Sequence, residues 1–99
     1  MNKCYMLGRI IQISDIDFMY NRDLLSIIEA KIIVNNNSSV VKSRNIKKEV
    51  FDIKFIGKIC EYVYRNIQIG SLVYIQGSVK TSSSTDLDIY VWVNSIVKL

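Results

Sequence analysis

The side chains of residues 50–56 alternate between two faces, with Val50, Asp52, Lys54 and Ile56 on one of them. Phe51, Ile53 and Phe55 fall on one face of an extended chain, and polar or smaller side chains fall on the other. A period of two is typical of a β-strand that covers a core on one side only. We therefore predict a half-buried strand here.

The period changes after Gly57. The residues of the next apolar stripe are spaced as on one side of a helix: Ile59, Cys60, Val63 and Ile67. This spacing predicts a helix of about three turns. Gly70 stands where a left-handed cap residue is expected, and alternation resumes over residues 72–81. One helix in a chain of strands indicates a small barrel with the helix at one end.

Three further strands are predicted, at Lys3–Ile13, Leu24–Asn35 and Ile89–Leu99. The first contains Gly8, which permits the bend that a barrel strand needs. The second has so many branched apolar residues that either of its faces could point inward. In the last, Tyr90 and Trp92 share one face.

The chain has 99 residues, and we expect residues 1–99 to form one domain. It has no histidine and two cysteines, Cys4 and Cys60, which we expect to be free buried thiols. Nucleophile pairs that depend on histidine are impossible, so we do not expect the protein to be an enzyme. With so few cysteine and histidine ligands, we also expect no metal and no cofactor. No apolar run is long enough to predict a membrane span.

The formal net charge is +4, which is compatible with nucleic-acid binding but does not establish it. Residues 36–48 have no sustained period and are predicted to form a basic hairpin loop. Its cations are Lys42, Arg44, Lys47 and Lys48. The loop either closes over a bound nucleic-acid strand or is simply solvated. A bias toward isoleucine, asparagine and lysine indicates an A/T-rich genome, so we expect an intracellular protein of a plastid stroma or a bacterial cytoplasm.

Two blocks of the sequence carry a family resemblance. The segment IGKICEYVYRNIQIGSLVYIQGSVKT, residues 56–81, resembles the centre of bacterial-type single-stranded-DNA-binding proteins. There a Gly-Lys-Leu-Ala-Glu helix leads through Lys-Gly-Ser to a Val-Tyr-Ile/Val-Glu-Gly strand. The opening NKCYMLGRI, residues 2–10, is similar to that family's Asn-Lys-Val-x-Leu-x-Gly-Arg-Leu. The resemblance implies an all-β protein, a five-stranded oligonucleotide-binding-fold (OB-fold) Greek-key barrel with one α-helix between the third and fourth strands.

Such a barrel binds single strands across one face, with cations for phosphates and aromatic rings for bases. The candidate nucleic-acid-binding residues are Arg9, Lys31, Lys54, Lys58, Lys80, Tyr20, Tyr74, Tyr90 and Trp92. Lys58 and Lys80 could instead be merely solvated, and Tyr74 and Trp92 could lie in the core or between subunits. The helix tyrosines, Tyr62 and Tyr64, are expected to pack rather than to stack on bases.

In the resembled family the opening strand also pairs between subunits. The resemblance therefore implies a homodimer or homotetramer, with Lys3, Cys4, Tyr5 and Met6 at the interface. The sequence departs from the family at three stacking positions. Two of these positions hold Val50 and Ile56, and the third position falls near Ser84.

The resemblance therefore predicts weak, sequence-nonspecific single-stranded DNA binding in replication or repair. One alternative is an adaptor, similar to primosomal replication protein N, that docks a partner protein on an outward patch of Ile33, Val50 and Ile56. The other is single-stranded RNA binding, which the sequence does not separate from DNA binding.

Overall fold

The computed structural model of the protein describes residues 2–18, 25–36, 47–81 and 88–99. Its elements are β1 (Cys4–Ile13), β2 (Asp17–Phe18), β3 (Ser26–Asn36), β4 (Lys47–Ile56), α1 (Ile59–Asn66), β5 (Leu72–Thr81) and β6 (Ile89–Lys98). The five long strands follow one another around a closed barrel in the order β1, β5, β6, β4, β3, and β3 pairs back onto β1. Only the β4–β6 pairing is parallel among the described strands. Since α1 lies between the third and fourth long strands, the predicted architecture is confirmed.

The alternation of β4 places its side chains as predicted. Ile53 and Phe55 are fully buried, while Val50 and Asp52 are exposed. Strand β3, whose inward face the sequence left open, buries Ile28, Ala30 and Ile32. The apolar core therefore fills the barrel, and the odd-numbered residues of β3 stand beside the even-numbered residues of β4 on the outer surface.

Two irregularities reverse the inward and outward faces along a strand. In β6, Gln76 of β5 faces Ser95 while the next residue, Gly77, faces Val93, so Asn94 is an extra residue. Val93 points into the core before this bulge, and Ile96 packs against the core after it. A similar shift follows Ile10 in β1. An extra residue in one strand bends it and increases its twist, which helps a short sheet to close.

The helix is shorter than predicted, because α1 has eight residues, Ile59–Asn66. Ile67 is buried as expected, but it has an extended backbone and caps the helix, with its N–H donating to the Val63 carbonyl at 2.9 Å. Gly70 does have a positive φ of +95°, yet it lies in the following turn, which the Ser71 N–H closes on the Gln68 carbonyl at 3.0 Å. In the part of the chain that the structure describes, no helix has the length and hydropathy of a membrane span.

Two glycines lie where strands approach each other closely. A Cβ added to Gly8 would strike the backbone carbonyl oxygen of Ile33, and one added to Gly77 would strike that of Trp92. Only a residue without a side chain permits these contacts. Gly8, where the sequence predicts a bend, is thus a point of close approach between the paired strands β1 and β3.

The hairpin predicted as a loop over residues 36–48 is partly strand. Asn36 faces Lys47 and Asn35 faces Lys48, so Lys47 and Lys48 belong to β4 rather than to a loop. The β3–β4 pairing thus reaches residues that the sequence assigned to the loop. Lys42 and Arg44 lie outside the described residues.

Candidate nucleic-acid interface

The outer surface of β3 and β4 is a ladder of facing residues. Its pairs, in order, are Asn35–Lys48, Ile33–Val50, Lys31–Asp52, Glu29–Lys54 and Ile27–Ile56. The two central pairs join opposite charges, and an apolar pair lies on either side of them. Val50 and Ile56 are six residues apart, which is about 20 Å along a strand. The predicted docking patch of Ile33, Val50 and Ile56 is therefore not one continuous surface.

The first charged pair is an ion pair. The Lys31 Nζ lies 3.5 Å from the Asp52 Oδ1, and the two side chains are 45% and 60% exposed. Because both groups remain hydrated, such a pair contributes only about 0–1 kcal/mol to stability. The pair does, however, place a carboxylate next to one of the predicted phosphate-binding cations.

Lys54 lies against an aromatic ring instead. Its Nζ is 4.3 Å from the centroid of the Tyr90 ring, a cation–π contact that bridges β4 and β6. Lys80 of β5 faces Tyr90 in the β5–β6 ladder, and Trp92 stands beside Lys54 in the parallel β4–β6 pairing. The fold therefore brings four of the predicted binding residues onto one continuous outer surface, with Lys31 next to them on β3.

A groove with a volume of about 370 Å³ lies along this surface. Its charged and aromatic lining consists of Glu29, Lys31, Asp52, Lys54, Asp88 and Tyr90. The groove therefore has three carboxylates and two lysines among its described residues. These carboxylates do not form a metal site, since no group of metal-ligating side chains occurs within the described ranges. The candidate binding residues from the sequence did not include these three acids, although strand parity puts Glu29 on the face of Lys31 and Asp52 on the face of Lys54.

The remaining predicted binding residues lie elsewhere. The Arg9 Nη1 donates to the Gly70 carbonyl at 3.0 Å, near the start of β5. The Tyr74 ring stacks on Tyr5 at a centroid distance of 6.3 Å, on the β1–β5 side of the barrel. Lys58 is exposed at the N-cap of α1. Tyr20 lies outside the described residues.

An uncharged surface covers part of the outside of the β1–β5–β6 sheet. Leu7, Tyr74 and Val97 form one row across the three strands, and Tyr5, Gln76 and Ser95 form the adjacent row. We call these six residues the β1–β5–β6 face. Its apolar members are well exposed, from 42% for Tyr74 to 56% for Tyr5.

The four residues predicted at a subunit interface differ in exposure. Lys3 and Tyr5 are exposed, whereas the side chains of Cys4 and Met6 pack against the core of their own barrel. Tyr5 is thus the only one of the four whose side chain belongs to the β1–β5–β6 face.

The helix provides two further observations. Tyr62 and Tyr64 are 41% and 62% exposed, so the expectation that they pack is wrong: both lie off the buried stripe of α1. Cys60 lies on that stripe, and its Sγ donates to the Phe55 carbonyl at 3.1 Å. Burial raises the pKa of the Cys60 thiol. Cys4 is half-buried, and both cysteines are free thiols.

Comparisons with known proteins agree with this architecture. The model of the Single-strand binding protein family matches residues 1–91. No curated protein matches the chain significantly. The protein PriB from Ralstonia solanacearum superposes with a TM-score of 0.77 and 7% identity, over 100% of this chain and 99% of that one. The SSB domain of a Synechococcus protein gives a TM-score of 0.70 and 12% identity, over 97% and 93% of the two chains. At such low identities the two structures support the fold alone.

Proposed function

The chain belongs to the single-strand binding protein family, and on this premise we propose that it binds single-stranded DNA without sequence preference in replication or repair. The observation that supports the proposal most is the shared outer surface of Lys31, Lys54, Lys80, Tyr90 and Trp92. Single-stranded DNA lying across β3, β4, β6 and β5 would contact the cations through its phosphates and the aromatic rings through its bases.

Charge rather than stacking is expected to dominate the affinity. Stacking contributes about 1–3 kcal/mol per base on a freely accessible ring. Here one face of Tyr90 is covered by the Lys54 ammonium, and Trp92 is half-buried. A base must therefore displace Lys54 before it can use that face of Tyr90, which lowers the net gain.

The test is a fluorescence titration with labelled oligo-dT of about 35 nucleotides, enough for several binding sites of this fold. Emission from Trp92, the only tryptophan, is followed in parallel. Each phosphate that Lys31, Lys54 or Lys80 neutralises makes the slope of log K against log salt more negative by about 0.7, to a limit of about −2 when all three take part. Binding that does not depend on salt would contradict the proposal. A matched RNA competitor tests the preference for DNA, since a protein distinguishes the two through the 2′-hydroxyl.

A pair of variants with the same loss of charge locates the binding surface. Lys54→Met removes a groove cation, whereas Lys98→Met removes an exposed cation at the other end of β6, about 25 Å from Tyr90 along the strand. Lys54→Met is expected to weaken binding several-fold and to make the slope shallower by about 0.7. Lys98→Met is expected to change neither quantity by more than the experimental error. Equal effects of the two variants would indicate that net charge alone, and not this surface, determines binding.

We also propose that the chain forms a homo-oligomer through the β1–β5–β6 face. In a two-fold interface a surface meets its own copy, so an uncharged apolar surface is self-complementary whereas a charged one repels itself. Leu7 and Tyr74 face each other across β1 and β5 on this face and are 50% and 42% exposed. Leu7→Asp is therefore expected to produce a monomer in light scattering after gel filtration. Val50→Asp, an equally exposed apolar site on β4, serves as the control and is expected to leave the oligomer intact.

A further inference from the structure

We propose that Asp52 sets the affinity of the groove by competing with DNA phosphates for Lys31. The inference rests on the proposed function, because it concerns how that surface binds a single strand. Lys31 and Asp52 both line the groove, and the Lys31 Nζ lies 3.5 Å from the Asp52 Oδ1. An incoming phosphate that binds Lys31 would have to displace the Asp52 carboxylate. Asp52 is thus a residue that weakens binding, unlike the cations around it.

Exposure of the pair makes this competition effective. Both side chains are about half exposed, so a phosphate can approach Lys31 without any rearrangement of the backbone. A hydrated ion pair of this kind contributes little to the stability of the fold. Its main electrostatic effect therefore falls on charges that approach from solvent within about one Debye length, roughly 10 Å at 0.1 M salt.

The two groove lysines differ in their partners. Lys54 lies on the neutral ring of Tyr90. Glu29 faces it across the β3–β4 ladder, but among the described residues no ion pair joins the two, so the Lys54 charge stays available to a phosphate. Lys31 lies beside a carboxylate, which already neutralises it. Single-stranded DNA is therefore held first at the Lys54–Tyr90 end of the groove. Its phosphates reach Lys31 only when the Asp52 carboxylate is displaced.

The test is Asp52→Asn, measured in the titration described above at low and at moderate salt. Removal of the carboxylate is expected to tighten binding of oligo-dT about three- to tenfold at low salt. It is also expected to steepen the salt slope by about 0.7, because one more phosphate contact becomes available. Since Asp52 is exposed, the fold should persist, and circular dichroism verifies this.

The matched control is Glu61→Gln on the helix. Glu61 forms an exposed ion pair with Arg65 at 3.0 Å, so this variant also frees one cation and changes the net charge by the same amount. Because α1 does not line the groove, Glu61→Gln is expected to leave affinity and slope unchanged. If Asp52→Asn behaves like Glu61→Gln while the wild-type protein binds, the inference is wrong and the proposed function stands.

Two further outcomes separate the inference from its premise. In the double variant Lys31→Met/Asp52→Asn, the gain from Asp52→Asn should largely disappear, since the two effects share one contact. A gain that persists without Lys31 would overturn competition for that lysine. If neither the wild-type protein nor Asp52→Asn binds single strands at low salt, the proposed function itself fails. Binding by Asp52→Asn alone would support the inference.

Discussion

Replacement of Gly77 by alanine adds one methyl group at the closest approach of β5 to β6. The new Cβ would strike the Trp92 carbonyl oxygen and lie 2.9 Å from the Cγ1 of Val91. The oxygen belongs to backbone in the middle of a ladder, so it cannot rotate away as a side chain would. The two strands must therefore separate locally, and overpacking of this kind costs about 1–3 kcal/mol.

Urea unfolding followed by circular dichroism measures this cost as a lower midpoint at constant slope. The control is Ser78→Ala, one residue further along β5, whose effect on the free energy of unfolding should stay within about 0.5 kcal/mol. Since Gly77 positions the backbone that carries Trp92, Gly77→Ala should also shift the native tryptophan emission. Wild-type stability in Gly77→Ala would refute the close contact between these strands.

Two further outcomes are expected for the core. Ile53→Val should lower the free energy of unfolding by about 0.5–1.5 kcal/mol in urea titrations, because Ile53 is fully buried; Val50→Ala on the exposed face of the same strand should change it by less than about 0.5 kcal/mol. Burial raises the pKa of Cys60, so the folded state keeps this proton at pH values where the unfolded chain has lost it. Its contribution to stability is therefore complete below the ordinary thiol pKa of 9.0 and declines as pH rises above it. Cys60→Ala should show a shallower decline, by up to about 1.4 kcal/mol per pH unit, whereas parallel curves for the two proteins would contradict this account.

The order of strands and helix could be predicted from the sequence because burial on one side imposes a clear period. In residues 50–56 Phe51, Ile53 and Phe55 share one face, and that inward face was correctly predicted. The bulge at Asn94 could not be predicted in this way, since an extra residue leaves no mark in composition. The end of α1 was also misplaced, because Ile67 continues the apolar stripe although its backbone is extended.

The binding surface was predicted in its parts but not in its arrangement. Lysines and aromatic residues on outward positions could be selected one at a time. Their neighbours depend on which strands pair and in which register, and a single sequence does not reveal this. The contact of Lys54 with Tyr90 joins residues that are 36 positions apart, across a parallel pairing. The approach of Asp52 to Lys31 depends in the same way on the β3–β4 register.

The parallel pairing of β4 with β6 has a consequence for how the barrel opens. Within the described ranges two pairs of residues, Ile53–Val91 and Lys54–Trp92, join these strands, whereas ten join β3 to β4. Local unfolding begins where few backbone bonds must break, so amide hydrogen exchange should be fastest along this seam. On the outer surface, Lys54 of β4 contacts the Tyr90 ring of β6 across this pairing. Single-stranded DNA bound across both side chains would therefore hold β4 and β6 together from outside. Its binding should slow amide hydrogen exchange between these two strands, although the DNA does not enter the barrel.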